Sequence, residues 1–469
     1  MSTELIYSDA TKLADLIRTR EVSPVEVMKA HLDRIEAVNP KVNAIVSIAD
    51  GALKSAKEAE AAVLRGDELG PLHGVPFTAK DSIDTANVPT QRGTPIFKGR
   101  TPENDATSIV RMKKAGALLL AKTNLPEFSY WIESDNLLTG RTKNPWNLDL
   151  TPGGSSGGES AAIAAGMSPL GLGTDLGISV RGPAAHTGIV SLKATHGRVP
   201  MTGIWPREPR RFWHVGPMAR SIRDLSLAFS QIAGPDGQDG YSSSAIPFDA
   251  GIGIANERHL RVGWLVEPGY GPIDPETAAT VQAAAEALKS FGHRVESVRI
   301  PALERDFGLD VFSRLHVLEM KPGFVKTTAG RSEDEISYMA RFMLGLPDTP
   351  AADYIDAVQG AERLKDGYAE YFQKYDVLLT PVLPTPSFKH NQAELVINGQ
   401  TIGAMGIMNI TSHLNVTGLP GVSMRFGTSS EGMPIAVQIV GSWQAESTIL
   451  HIASILEQVS PVRDLHPNI

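Results

Sequence analysis

The 469-residue chain contains no cysteine. That absence excludes a disulfide framework, a thiolate metal site and a thiol nucleophile, so any covalent chemistry has to use oxygen or nitrogen. The chain also has no uninterrupted run of roughly 18 apolar residues, the length a membrane-crossing helix needs. Residues 1–11 carry neither the basic stretch nor the apolar core of a secretion signal. A cytoplasmic protein that does not engage a membrane is expected. No basic cluster offsets the net charge of -8. Nucleic acid is thereby disfavoured, and a neutral small molecule is the expected partner, bound by a monomer or homodimer. The 12 histidines show no H-E-x-x-H or similar spacing. His73, His186 and His196 are therefore expected in packing or loop roles, and no metal or cofactor is expected.

What is present reads as an α/β protein. Ser23-Pro24-Val25-Glu26 combines an N-cap, proline at the first helical position and a reciprocal glutamate, followed by Val27, Leu32 and Ile35 as an apolar stripe up to Pro40. A second helix is predicted over 52–64, before Gly66. Helical windows then alternate with short apolar runs: a helix over 105–114, strands over 117–121, 169–174 and 261–266, and capped helices starting at Ser221 and Asp274. Residues 302–374 read as mainly helical, and 377–380 and 435–440 as late buried strands. No linker of Gly/Ser or Pro separates these parts. One domain over 1–469 is expected, built on a large mixed, twisted sheet with helices on both faces. Within it, 1–70 would form a helical N-terminal segment, 71–300 the catalytic core, 301–375 a substrate-side helical segment, and 376–469 the last strands and helix.

The densest unusual stretch is Thr151-Pro-Gly-Gly-Ser-Ser-Gly-Gly-Glu-Ser160, followed by Gly173-Thr-Asp-Leu-Gly-Ile-Ser-Val-Arg-Gly-Pro183. A plain turn before the helix at 161–165 is one reading. A phosphate-binding loop fails on chemistry, because Glu159 stands where the P-loop lysine belongs. Gly153 to Gly157 fits G-x-S-x-G, but the polar, proline-containing approach over 144–152 is not the strand that a nucleophile elbow needs.

A third reading has two serines acting together, and here the chain resembles the amidase signature family. Similar motifs recur in order: Gly74-Val-Pro-Phe-Thr-Ala-Lys80-Asp81, Lys122-Thr-Asn-Leu-Pro-Glu-Phe128, Asn144-Pro145, the two clusters above, Gly216-Pro-Met-Ala-Arg220 and Gly432-Met-Pro434 through Gln438. Among family members the likeness is greatest to urethanases and aryl-acylamidases. The resemblance implies Ser179 as nucleophile, Lys80 as base and Ser155, after a cis peptide bond, as the relay between them. It further implies an oxyanion hole of the backbone N–H groups of Leu176, Gly177, Ile178 and Ser179, with Ser156, Asp175 and Arg181 in support. A lysine can accept a proton only when neutral, so burial of Lys80 is required; its apolar approach through Val75, Pro76 and Phe77 suggests that burial. Ile178 stands where the family commonly has glycine, so the oxyanion hole or acyl pocket is expected to differ. Tyr130, Trp131, Trp205 and Trp213, with Phe212, are candidates for an aromatic substrate pocket or for ordinary core.

The expected activity is hydrolysis of C–N bonds in amides or carbamates through an acyl- or carbamoyl-enzyme. Two alternatives are an amidotransferase-type subunit that delivers ammonia to a partner enzyme, and a noncatalytic binding protein on the same fold.

Overall fold

Ser23 Oγ accepts the Glu26 N–H at 3.1 Å and Glu26 Oε2 accepts the Ser23 N–H at 2.8 Å, closing the predicted capping box over the helix Pro24–Val42. The structure is a computed structural model that describes residues 2–242 and 259–469. Val27, Ile35, Val38 and Val42 are buried along one face, each worth roughly 1.5–3 kcal/mol when removed from water. The helix does not stop at Pro40. A proline in the last turn forfeits a single ladder bond, so the chain continues to Val42 and ends at Asn43, which adopts φ 54°. Asn39 Oδ1 then accepts the N–H groups of Ala44 and Ile45, both at 2.8 Å, turning the chain into the first strand.

Among the described residues, eleven strands share one mixed sheet: β1 (Ile45–Ile48), β2 (Pro76–Lys80), β3 (Leu118–Thr123), β4 (Leu170–Asp175), β5 (Val190–Lys193), β6 (His214–Ala219), β7 (Arg261–Trp264), β8 (Arg294–Ser297), β9 (Val377–Pro381), β12 (Gly421–Thr428) and β13 (Pro434–Gly441). Their order is β1-β3-β2-β4-β6-β5-β12-β13-β9-β7-β8, while β10 (Glu394–Ile397) and β11 (Gln400–Gly403) form a separate hairpin. Helices Gly157–Ala164 and Arg181–Thr187 pack together on one face. Helices Ile222–Ile232, Pro275–Ser290 and Glu446–Val459 cover the other. The segment expected to be helical holds Gly308–Thr328, Tyr338–Gly345 and Ala351–Lys374. No helix among the described residues is long and apolar enough to cross a membrane.

The predicted strands correspond to β3, β4, β7, β9 and β13, whereas β5, β6 and β12 were not legible. β6 contains Gly216 and Pro217, which argue against a central strand in sequence. Its ladder with β5 covers only Met218 and Ala219, so Pro217 lies beyond the last β5 pair. For the site, the decisive neighbours are β2 and β4. They run parallel, with Thr78 opposite Gly171 and Ala79 opposite Leu172, so both end at the same edge of the sheet, at Lys80 and Asp175.

Candidate active site

Lys80 is the last residue of β2, and its ammonium end lies wholly within the protein. Nζ stands 2.6 Å from Ser155 Oγ and 2.9 Å from Thr174 Oγ1. Burial pushes its pKa well below the ordinary lysine value, with the charges of Asp175 and Glu159 acting in the opposite sense. Burial thus favours the neutral amine, which keeps two hydroxyl partners. Glu159 lies behind it, bound by the hydroxyls of Thr78 and of Thr123, the latter at 2.8 Å. Burial raises Glu159 to about 7, against those hydrogen bonds and the neighbouring lysines. Room for this carboxylate exists because residue 171 is glycine: a Cβ there would overlap Glu159 and stand 2.7 Å from Thr78 Oγ1. Lys122, the other lysine of this layer, donates to Thr85 Oγ1 at 2.8 Å and to the Ile83 carbonyl, away from the serines.

Ser155 follows a cis Gly154–Ser155 peptide bond, as the resemblance implied. Ser156 ties the two glycine-serine clusters together. Its N–H donates to the Ser179 carbonyl at 3.1 Å, and its hydroxyl donates to the Thr174 carbonyl at 3.3 Å. Ser179 sits in the turn after β4, 5% exposed. Among the described residues, none of the N–H groups of Leu176, Gly177, Ile178 and Ser179 donates to a protein acceptor. Four successive free donors in a buried turn are what an oxyanion would engage.

Asp175 and Arg181 hold that turn in shape. They form a two-point ion pair, Nη2 to Oδ1 at 2.9 Å and Nε to Oδ2 at 3.1 Å, with both side chains fully buried. Asp175 Oδ2 also accepts the Val180 N–H at 3.0 Å, and Asn415 Nδ2 donates to Oδ1 at 2.9 Å. Burial would raise this carboxyl, but the charge and hydrogen bonds of Arg181 outweigh it and keep the group below its ordinary value. Arg181 further donates to the Thr411 carbonyl and to Gln438 Oε1, linking the turn to β13. A buried pair with every donor used is a positioning device, since an unpaired charge there would be strongly penalised.

Ile178 does not adopt a left-handed conformation. Its branch packs where residue 182, one turn later, is glycine: a Cβ at 182 would lie 2.6 Å from Ile178 Cγ1. Ile178 thereby lines a narrow cavity of about 40 Å³ at Ser179, together with Leu176, Gly177, Tyr130, Phe312, His316 and the methionines 343, 405 and 408. Tyr130, Trp131 and Met405 also line a larger cavity of about 600 Å³. Of the four aromatic candidates, Tyr130 and Trp131 line both cavities. Trp205 and Trp213 do not line either cavity. Trp205 packs edge-on to Phe97 and Phe128 under the Arg92 guanidinium, and Trp213 supports Tyr130 from behind at 6.0 Å between ring centres. Both are core. Phe212, likewise buried, packs on Phe312.

Phe312, His316 and Met343 had no motif to mark them, and only the expected substrate-side helices hinted at their place. His316 lies between the rings of Phe312 and Tyr130, with Nδ1 3.0 Å from the Phe312 carbonyl. Burial lowers it to about 4, so the cavity contains a neutral imidazole. His73 and His196 stand at backbone carbonyls, and His186 is buried beside Gly153. Among the described residues no group of three or more His, Cys, Asp or Glu could hold a metal.

The family model described as Amidase matches residues 26–450. A glutamyl-tRNA(Gln) amidotransferase subunit from Carboxydothermus hydrogenoformans is 33% identical over 494 aligned positions, covering 99% of this chain and 100% of the relative. A 6-aminohexanoate cyclic dimer hydrolase structure superposes with a TM-score of 0.89 at 30% identity, covering 99% of each chain. A bacterial aryl acylamidase structure gives 0.87 at 27% identity, covering 97% of this chain and 96% of that one. The likeness runs through sequence and backbone from end to end, and the chain belongs to the amidase family.

Proposed function

We propose that the protein hydrolyses amide or carbamate C–N bonds with Ser179 as nucleophile, Ser155 as relay and Lys80 as base. The observation that carries the reading is the fully buried Lys80 amine, 2.6 Å from Ser155 Oγ, with Ser179 lining a cavity of uncharged walls. As Ser179 Oγ bonds to the carbonyl carbon, its proton passes to Ser155 and that of Ser155 to Lys80. The N–H groups of residues 176–179 receive the oxyanion, a contribution of roughly 3–4 kcal/mol per well-placed donor. Collapse expels the amine, which takes the proton back through the same path. Water then repeats the sequence on the acyl-enzyme, or on the alkoxycarbonyl-enzyme formed from a carbamate.

The narrow cavity, with Ile178 in its wall, suits a small acyl or alkoxycarbonyl group, and the larger one suits a bulky amine that departs towards solvent. Carbamate cleavage of the urethanase kind and anilide cleavage both fit this division. An amidotransferase-type role, in which glutamine supplies ammonia, is favoured by the full-length likeness to amidotransferase subunits. Glutamine, however, carries an α-carboxylate that needs a cation, and no lysine or arginine lines either cavity among the described residues. The purified chain alone should release amine from an acetanilide or aryl carbamate, and Ser179→Ala should lower kcat/KM by on the order of 10⁴-fold or more while the melting temperature stays put. Brisk release of ammonia from glutamine, without anilide or carbamate turnover, would sink the hydrolase reading.

A further inference from the structure

The segment from Glu127 to Tyr130 contributes lining to both cavities, and its polar atoms are left over by the mechanism above. Phe128 (φ 58°) and Ser129 (φ 62°) are consecutive left-handed residues, a conformation that side-chain-bearing residues rarely adopt. The kink sends the Phe128 ring into the core against Phe324 and Trp205. It leaves Glu127 lining the outer cavity, Ser129 the inner one and Tyr130 both. Strain of this kind concentrates where a fold must present particular groups.

Three polar atoms of this wall are buried without a protein partner: Glu127 Oε1, Ser129 Oγ and Tyr130 Oη. Glu127 is 4% exposed, and its other oxygen, Oε2, accepts the Ser337 N–H at 2.8 Å. The remaining carboxylates of the outer cavity are engaged. Glu133 binds His390 Nδ1 at 2.7 Å and the Asn391 N–H at 2.9 Å, and Asp135 is paired with Arg141 at 2.8 Å. Against them stand the half-open apolar groups Leu137, Tyr338 and Phe342, and no lysine or arginine. The cavity therefore joins an apolar rim to a buried, unpartnered carboxylate oxygen, Glu127 Oε1, and carries no lysine or arginine on its walls. A neutral hydrocarbon would leave that oxygen unpaired, and an anion would be repelled.

We infer that Glu127 is a specificity-determining residue for the departing amine, accepting a hydrogen bond from a second, cationic nitrogen that this amine carries beyond an apolar or aromatic body. The substrate class is then the mono-acylated or mono-carbamoylated diamine. This deepens the proposed hydrolase reading and rests on it. Glu127 takes no part in bond making; it selects the partner that occupies the outer cavity.

The test compares para-aminomethyl acetanilide, protonated near neutral pH, with para-methyl acetanilide, and the parent with Glu127→Gln. Glutamine at 127 keeps an acceptor for Ser337 and the same shape, and removes only the charge. The parent should favour the cationic anilide over the para-methyl one in kcat/KM by about tenfold or more, and Glu127→Gln should lose that preference. An unchanged preference in Glu127→Gln, or no preference in the parent, overturns the inference. Calorimetric binding of the free amines, para-aminomethyl aniline against para-toluidine, to Ser179→Ala protein separates the two readings. Tighter binding of the cationic amine that is abolished by Glu127→Gln upholds the subsite even if neither anilide is turned over; equal binding refutes it.

Discussion

The wall of the site built from residues 77–181 and the wall built from the helices Gly308–Thr328 and Tyr338–Gly345 face the same cavities, yet different forces hold them. The first has a fully buried polar centre. Lys80, Glu159, Asp175 and Arg181 each find partners inside the protein, and Gly171 and Gly182 open the space that this crowding needs. The second is apolar and partly open, with Tyr338 70% and Phe342 47% exposed. Chemistry requires atoms fixed to a few tenths of an ångström, which hydrogen-bonded burial supplies, whereas a surface that admits and releases amines tolerates looser packing. Substitutions in the two walls should accordingly fail in different ways.

The largest contrast is expected at Lys80. Replacing it with methionine should lower kcat/KM by about 10²–10⁴-fold with little effect on folding, because methionine fills the same buried space without an amine. In the parent, the base proposed here would work only when neutral. Below its depressed pKa, kcat/KM for an uncharged anilide should therefore fall about tenfold per pH unit and level off on the alkaline side. A profile flat from acid to alkaline pH would remove lysine from the mechanism. Next comes Arg181→Met, which leaves Asp175 buried without its cation. Denaturant titration should show a loss of about 3–5 kcal/mol, and a loss under 1 kcal/mol would mean that the ion pair does not brace the turn. The smallest effect is expected on the apolar wall. Phe342→Ala should change stability by no more than about 0.5 kcal/mol while raising KM for bulky anilides. A drop in kcat comparable to that of Lys80→Met would break the division between the two walls.

The same division explains what could be read in advance. The capping box at Ser23 has a local meaning that linear sequence suffices to show, whereas Lys80, Ser155 and Ser179 are singled out by the family resemblance that their motifs carry. Pro40 misled as a helix end because its penalty depends on how close the true terminus is. β6 was hidden by Gly216 and Pro217, since a central strand with proline is recognisable only once the neighbouring ladder is known to stop short. Phe312, His316, Met343 and Met405 come from three separate segments that meet only after the sheet and helices have assembled. Trp205 and Trp213 were plausible for the cavity by type, but large aromatic rings bury as readily behind a site as in it. Glu127 was visible within a motif, yet its spare oxygen is a property of what surrounds it.

Ile178 and Gly182 carry a lesson about the order in which such a site can change. The side chain at 178 occupies the space that a Cβ at 182 would claim, so the two positions cannot both be large. A lineage can acquire the branched residue only while 182 stays bare, and once it has done so, 182 is frozen against any enlargement until 178 shrinks again. An engineer widening the acyl recess should therefore edit 178 first and treat 182 as a dependent position.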